Sequence, residues 1–205
     1  MTTYVALLRG VNVGGNNKIS MKELGAEFES QGFANVLTYI NSGNILFDSG
    51  IADVREVKAA CEAVILERFG LDIAVAILAA GELVDAIAHA PNWWGRSPNA
   101  EPDAKRDVQT GVKSGAKHNA IFVISPMSAA QACASMGEPK PEVEKIAYHG
   151  CLIFWTAQLA TFNQTRWAKV VNNKEVYNAI TIRNANTAYK LAELAKARMC
   201  LEPEK

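Results

Sequence analysis

Little in this chain is arranged for metal or disulfide chemistry. The four cysteines, Cys61, Cys133, Cys151 and Cys200, lie far apart and form no C-x-x-C pair. Isolated thiols in that pattern fit reduced side chains in a cytoplasmic protein. The three histidines, His89, His118 and His149, are equally scattered, so the sequence offers no metal site and implies no cofactor. A surplus of charge is also missing. With 21 Lys and Arg against 21 Asp and Glu, the formal net charge is +0. A nucleic acid would find no global field and would need a local basic patch. Long apolar runs are absent as well. The first, residues 4–8, stops at Arg9 with no basic leader before it, which argues against a signal peptide. No run approaches the roughly 20 apolar residues of a membrane span.

What is present is enough apolar material for a folded chain. Hydrophobic residues make up 49% of the 205 and charged residues 20%, the balance of a globular protein of one large domain or two small ones. The chain is organised around YVALLRGVNVGGNNKISMKEL, residues 4–24. Residues 4–8 suit one buried strand and are too short for a buried helix. Gly10, Gly14 and Gly15 follow within six positions, permitting backbone conformations closed to other residues. Ser20 then starts a helix as N-cap, with Glu23 placed to complete a capping box. Strand, glycine-rich loop and helix N-terminus together resemble an anion-binding arrangement. It is not a named nucleotide motif. The spacing from Gly10 to Gly15 fits a P-loop, but Asn16 and Asn17 stand where Lys and Ser/Thr are needed. A dinucleotide fingerprint also fails, since no G-x-G precedes the last glycine.

Beyond Ser20, Met21, Leu24 and Phe28 fall at helical spacing. Residues 36–40 and 45–47 are β-rich runs separated by Asn41, Ser42, Gly43 and Asn44, a tight-hairpin signal. Val54, Val57, Cys61, Val64 and Ile65 mark a second helix closed by Gly70, and residues 73–78 a fourth strand. The order is βαββαβ, that of a ferredoxin-like unit. Residues 82–89 form a short helix. The segment 92–117 is rich in Pro, Gly, Ser and charge, which predicts a mobile linker or lid. Trp93 and Trp94 at its start either pack as buried anchors or offer a stacking platform for a base or sugar.

From residue 120 the pattern repeats. A strand at 121–124 and a helix at 128–136 precede a hairpin of 143–148 and 151–156 turned at His149 and Gly150. A helical stretch at 162–171, a strand at 179–182 and a last helix capped by Asn186 or Thr187 complete the chain. The predicted fold is therefore α+β: two ferredoxin-like βαββαβ subdomains, 1–80 and 119–205, joined by the short helix and linker of 81–118, with an extra C-terminal helix.

Three passages carry a family resemblance: LLRGVNVGG (7–15) with Ile19 and Met21, TYINSGN (38–44), and TIRNANTAYKL (181–191). Together they resemble the family catalogued as domain of unknown function 1697, bacterial proteins of two linked subdomains similar to the ferredoxin-like fold. The resemblance implies a fold and little about activity. The family tends to have Gln where Asn41 stands and Trp where Ala185 stands, so an aromatic stack at that second position is missing here.

The polar residues of these motifs are Arg9, Asn12, Asn16, Lys18, Ser42, Asn44, Arg183, Asn184, Thr187 and Lys190. They are mostly hydrogen-bond donors, without Asp, Glu, His or Cys. That set suits anions or polar edges and supplies neither a general base nor an activated nucleophile. The expected ligand-binding residues are Arg9, Asn12, Gly14, Gly15, Lys18, Ser42, Asn44, Arg183, Asn184 and Lys190. The expected function is binding of a phosphorylated small molecule or a nucleic-acid segment. Alternatives are a transferase-type enzyme using the same pocket, or a structural or partner-binding module. Oligomeric state is not legible. Two geometric expectations follow from taking the first and third strands as parallel. The 42–44 turn should lie at the opposite sheet edge from Arg9, about 20 Å away at roughly 3.3 Å per residue. In the second unit, Arg183 should lie near His149.

Overall fold

The computed structural model describes residues 1–15, 17–96, 105–106 and 113–200. The chain divides into two compact units, Met1–Ile87 with Lys190–Lys205, and Ala88–Tyr189. Each is built around a four-stranded antiparallel sheet with helices, so the fold is mixed α+β.

The first unit runs β1 (Thr2–Leu8), α1 (Met21–Ser30), β2 (Ala34–Tyr39), β3 (Asn44–Ser49), α2 (Val54–Phe69) and β4 (Val75–Ala79). Its strand order is β2-β3-β1-β4. β1 is central and buried from Thr3 to Leu8, which is why its sequence is a continuous apolar run rather than an alternating one. Tyr4, Ala6 and Leu8 pack in one core with Leu24 and Phe28 of α1 and Val57, Cys61 and Ile65 of α2. Phe47 is the aromatic centre of that core, with ring centroids 4.6 Å from Phe33, 5.6 Å from Phe28 and 6.0 Å from Tyr4. Ser20 caps α1 by accepting from the Glu23 N–H at 3.3 Å. Asp53 caps α2, and Gly70 ends it in the left-handed region at φ 65°. The C-terminal turn of the last helix, α6 (Ala185–Met199), also belongs to this unit. There Arg198 donates to the Asn35 carbonyl at 2.6 Å and pairs with Asp48 at 3.8 Å.

After β4 comes α3 (Ala80–Ala88). The second unit then holds a short ladder of β5 (Lys105–Arg106) with β6 (Lys113–Ser114), followed by β7 (Ala116–Val123), α4 (Ala129–Met136), β8 (Glu144–His149) and β9 (Leu152–Gln158). Two 3-10 turns, Phe162–Gln164 and Trp167–Asn172, lead to α5 (Lys174–Asn178), β10 (Ile180–Asn184) and α6. The order β10-β7-β9-β8 repeats that of the first sheet, with last, first, third and second strands side by side. Trp94 is fully buried in this unit. Its indole N–H donates to the Asn119 carbonyl at 2.9 Å, and its ring meets Phe154 edge-on at 5.0 Å. Of the two readings of this tryptophan, the buried anchor is the one observed.

Several expectations need correction. β1 and β3 are antiparallel, with Leu7 opposite Asn44, and the Leu8 N–H donates to the Gly43 carbonyl at 2.8 Å. The turn 42–44 therefore lies beside Arg9. The physical reason is that a helical crossover makes β1 and β2 parallel, and the hairpin then reverses β3 against both. The same reversal moves Arg183. Ile180 pairs with Val123, whose N–H donates to Cys151 at the hairpin, whereas Arg183 pairs with Ala120 further along. Arg183 is thus remote from the His149 turn. The stretch 162–171 forms 3-10 turns rather than a regular helix. A full capping box closes α4, between Ser128 and Gln131. Neither Asn186 nor Thr187 caps α6; the Asn184 side chain accepts from the Thr187 N–H at 2.7 Å. Most of the expected linker, 97–104 and 107–112, lies outside the described residues, as does Asn16. Among the described residues no helix is long and apolar enough to cross a membrane.

Candidate functional site

The glycine-rich loop and the β2–β3 turn form one assembly at a single edge of the first sheet. The loop's backbone enters the left-handed region repeatedly, at Gly10, Asn12, Gly14, Gly15 and Asn17 (φ 65°, 54°, 61°, 84° and 46°). Asn12 holds that path. Its Nδ2 donates to the Ile19 carbonyl at 2.9 Å and the Asn41 carbonyl at 2.8 Å, and its Oδ1 accepts from the Ile19 N–H at 2.9 Å. Gly43 permits the close approach: a Cβ there would stand 2.5 Å from Val11 Cγ2 and 2.7 Å from Leu8 Cβ. Asn44 is fully buried and donates to the Tyr39 carbonyl and Ser42 Oγ, each at 2.9 Å.

Beside this assembly opens a cleft of about 670 Å³ lined by Asn12, Gly15, Lys18, Ser20, Lys22 and Asn41, with Ile19 and Met21 as its apolar contribution. Both lysines are exposed. The cleft sits at the N-terminal end of α1, where helix geometry leaves the N–H groups of Met21 and Lys22 without intrahelical acceptors. No carboxylate lines it. Glu23, in the first turn, lies 3.9 Å from Arg68.

The predicted residues therefore separate. Asn12, Gly15 and Lys18 line the cleft; Gly14, with φ 61°, shapes the same loop. Arg9 is half-buried at the end of β1, its N–H bonded to the Ala74 carbonyl at 3.1 Å. Ser42 and Asn44 brace the adjoining turn. Arg183 and Asn184 belong to the second unit, and Lys190, in the first, lies 3.2 Å from Glu193. Arg183 is buried, with Nη1 donating to Thr181 Oγ1 at 2.8 Å and the Ile182 carbonyl at 2.9 Å. Burial lowers its pKa to about 10.

Sequence reasoning missed Lys22 and Asn41 as cleft residues, although Asn41 lies within a quoted motif and Lys22 adjoins Met21 of another. It also missed a buried pair in the second unit, His118 Nδ1 and Thr156 Oγ1 at 2.8 Å. No pattern in sequence joins those two before β7 and β9 are known to pair. Two of the thiols are poor nucleophiles by their surroundings: burial raises the Cys61 pKa well above the usual range and Cys133 to about 11.

Among curated proteins, none matches the chain. A similar solved structure is that of the conserved bacterial protein SP0830 from Streptococcus pneumoniae, at 27% identity and a TM-score of 0.75, covering 95% of this chain and 98% of that one. Residues 1–154 match the family described as protein of unknown function (DUF1697). That span takes in the glycine-rich loop, the hairpin and the cleft between them, and the chain belongs to the DUF1697 family.

Proposed function

We propose that the first unit binds a phosphorylated small molecule in the cleft at the start of α1. One observation carries this reading: Lys18 and Lys22 flank the helix N-terminus on a lining without carboxylates. Lysine ammonium groups and free helix N–H groups favour the same ligand charge. A polyanionic nucleic acid is less well served, because the net charge is +0 and a long strand needs several phosphate contacts. Nothing in the cleft favours chemistry over binding, since its lining lacks a general base. We also read each four-stranded sheet with its helices as a ferredoxin-like subdomain, which puts the cleft at the end of the first subdomain's leading strand.

The test is a thermal-shift panel of phosphorylated metabolites with inorganic phosphate as the minimal probe, preceded by native mass spectrometry of the purified protein. A ligand at 100 times its Kd stabilises by about 2.7 kcal/mol, a rise of roughly 5–10 °C for a chain of this size. Lys18→Ala with Lys22→Ala should abolish that response while leaving the ligand-free Tm within about 2 °C, because both side chains are exposed. A panel without a single shift, together with a native mass equal to the bare chain, would sink the reading.

A further inference from the structure

Two of the three scattered histidines meet in the second unit. His89 directly follows α3, and His149 ends β8, where the chain turns through Gly150 into β9. Their imidazole rings stack with centroids 4.1 Å apart and planes 3° from parallel. A ligating nitrogen of one lies within 4.8 Å of a ligating nitrogen of the other. A tetrahedral zinc ion, with bonds of about 2.0–2.1 Å, holds two nitrogens about 3.3 Å apart. His89 is exposed and His149 half-buried, so rotation of the two side chains can close that gap without disturbing the core.

We propose that His89 and His149 ligate a divalent first-row transition ion of the zinc type. Imidazole donors without thiolate suit zinc, nickel or copper, whereas magnesium and calcium prefer all-oxygen sites. Remaining positions would be taken by water, which makes this an exchangeable site rather than a buried structural one. Such an ion would pin the chain after α3 to the β8–β9 turn, within the second unit. Affinity should weaken in acid, because protons compete for the imidazole nitrogens.

The test uses the full chain, stripped with a chelator and titrated with zinc by calorimetry and with cobalt by visible absorbance. One equivalent should bind, without the near-ultraviolet band of cobalt–thiolate ligation. In the wild-type protein, imidazole NMR signals of His89 and His149 should move on zinc addition while those of His118 stay. His89→Ala, at an exposed position, and His149→Ala, at a half-buried one outside the core clusters, should each weaken zinc binding at least tenfold with unchanged circular dichroism. The proposal is overturned by an absence of saturable binding, by an affinity retained in both variants, or by zinc-induced shifts confined to other residues.

Discussion

Replacing Trp94 with alanine tests whether this residue is an anchor or an available stacking surface. The indole is fully buried, stands 5.0 Å from Phe154 and 5.3 Å from Tyr189, and donates to the Asn119 carbonyl. Truncating a buried tryptophan costs about 3–5 kcal/mol, and leaving its carbonyl partner without a donor adds about 1 kcal/mol. For a chain of this length each kcal/mol lowers Tm by roughly 2–4 °C, so Trp94→Ala should fall by about 8–24 °C. Trp94→Phe keeps an aromatic ring against Phe154 and loses the N–H, which predicts a smaller drop of about 2–8 °C. Gly95 adds a check on the same packing. A Cβ there would lie 2.6 Å from the Tyr189 ring at φ 65°, which holds the chain tightly just after the anchor. The assay is thermal unfolding followed by calorimetry and by tryptophan fluorescence. The other tryptophans, Trp93, Trp155 and Trp167, also lie in the second unit, so fluorescence reports that unit selectively. A drop below about 2 °C in Trp94→Ala would refute the anchor and return the residue to the list of accessible aromatics.

Two further outcomes follow from the polar residues. Asn44→Ala removes both donors that close the β2–β3 turn from a fully buried position; a loss of about 2 kcal/mol, read as a fall of roughly 4–8 °C, is expected, and an unchanged Tm would show that the turn does not need the brace. Arg183→Met should unfold no earlier than wild type at neutral pH, because burial has lowered the guanidinium pKa to about 10 and a charged base in that setting opposes folding. The sign is that of a depressed base: its destabilising effect is complete below about pH 10 and fades as pH rises above it toward the usual arginine range, so wild type should gain on the variant over that window. A variant that unfolds several degrees earlier at pH 7 would show that the bonds to Thr181 and Ile182 outweigh desolvation.

Element type was legible wherever a local rule acts alone. Residues 4–8 are apolar without interruption because β1 is central, and Gly70 and Gly150 mark an observed helix end and hairpin. Direction was not. The errors over Gly43 and Arg183 share one source, the assumption that first and third strands are parallel. A helical crossover that makes β1 and β2 parallel, followed by the hairpin signalled at 41–44, already sets β3 against β1, so the direction lay in the order of elements and not in any residue of β1 or β3. Trp94 was ambiguous for a different reason: its partners, Phe154 and Tyr189, are far from it in sequence. The histidine pair was invisible on the same ground, since spacing along the chain says nothing of two loop ends that folding brings together.

The motif asparagines bear on where a ligand can be recognised. Donor-rich composition pointed to them as a group, yet the structure commits Asn12, Asn44 and Asn184 chiefly to the backbone. Asn12 bonds to Ile19 and Asn41, Asn44 to Tyr39 and Ser42, and Asn184 to Thr187. An amide side chain used this way fixes a left-handed loop, a turn or a helix start, and its hydrogen-bonding capacity is largely taken. If the first unit binds a ligand as proposed, recognition falls to groups these braces hold in place. In the first unit those are the N–H groups at the start of α1 and the ammonium groups of Lys18 and Lys22, all on one cleft. The asparagines accordingly govern the shape of the cleft and the lysines its charge. Substituting a brace should therefore reduce stability and binding together, while substituting a lysine should reduce binding alone.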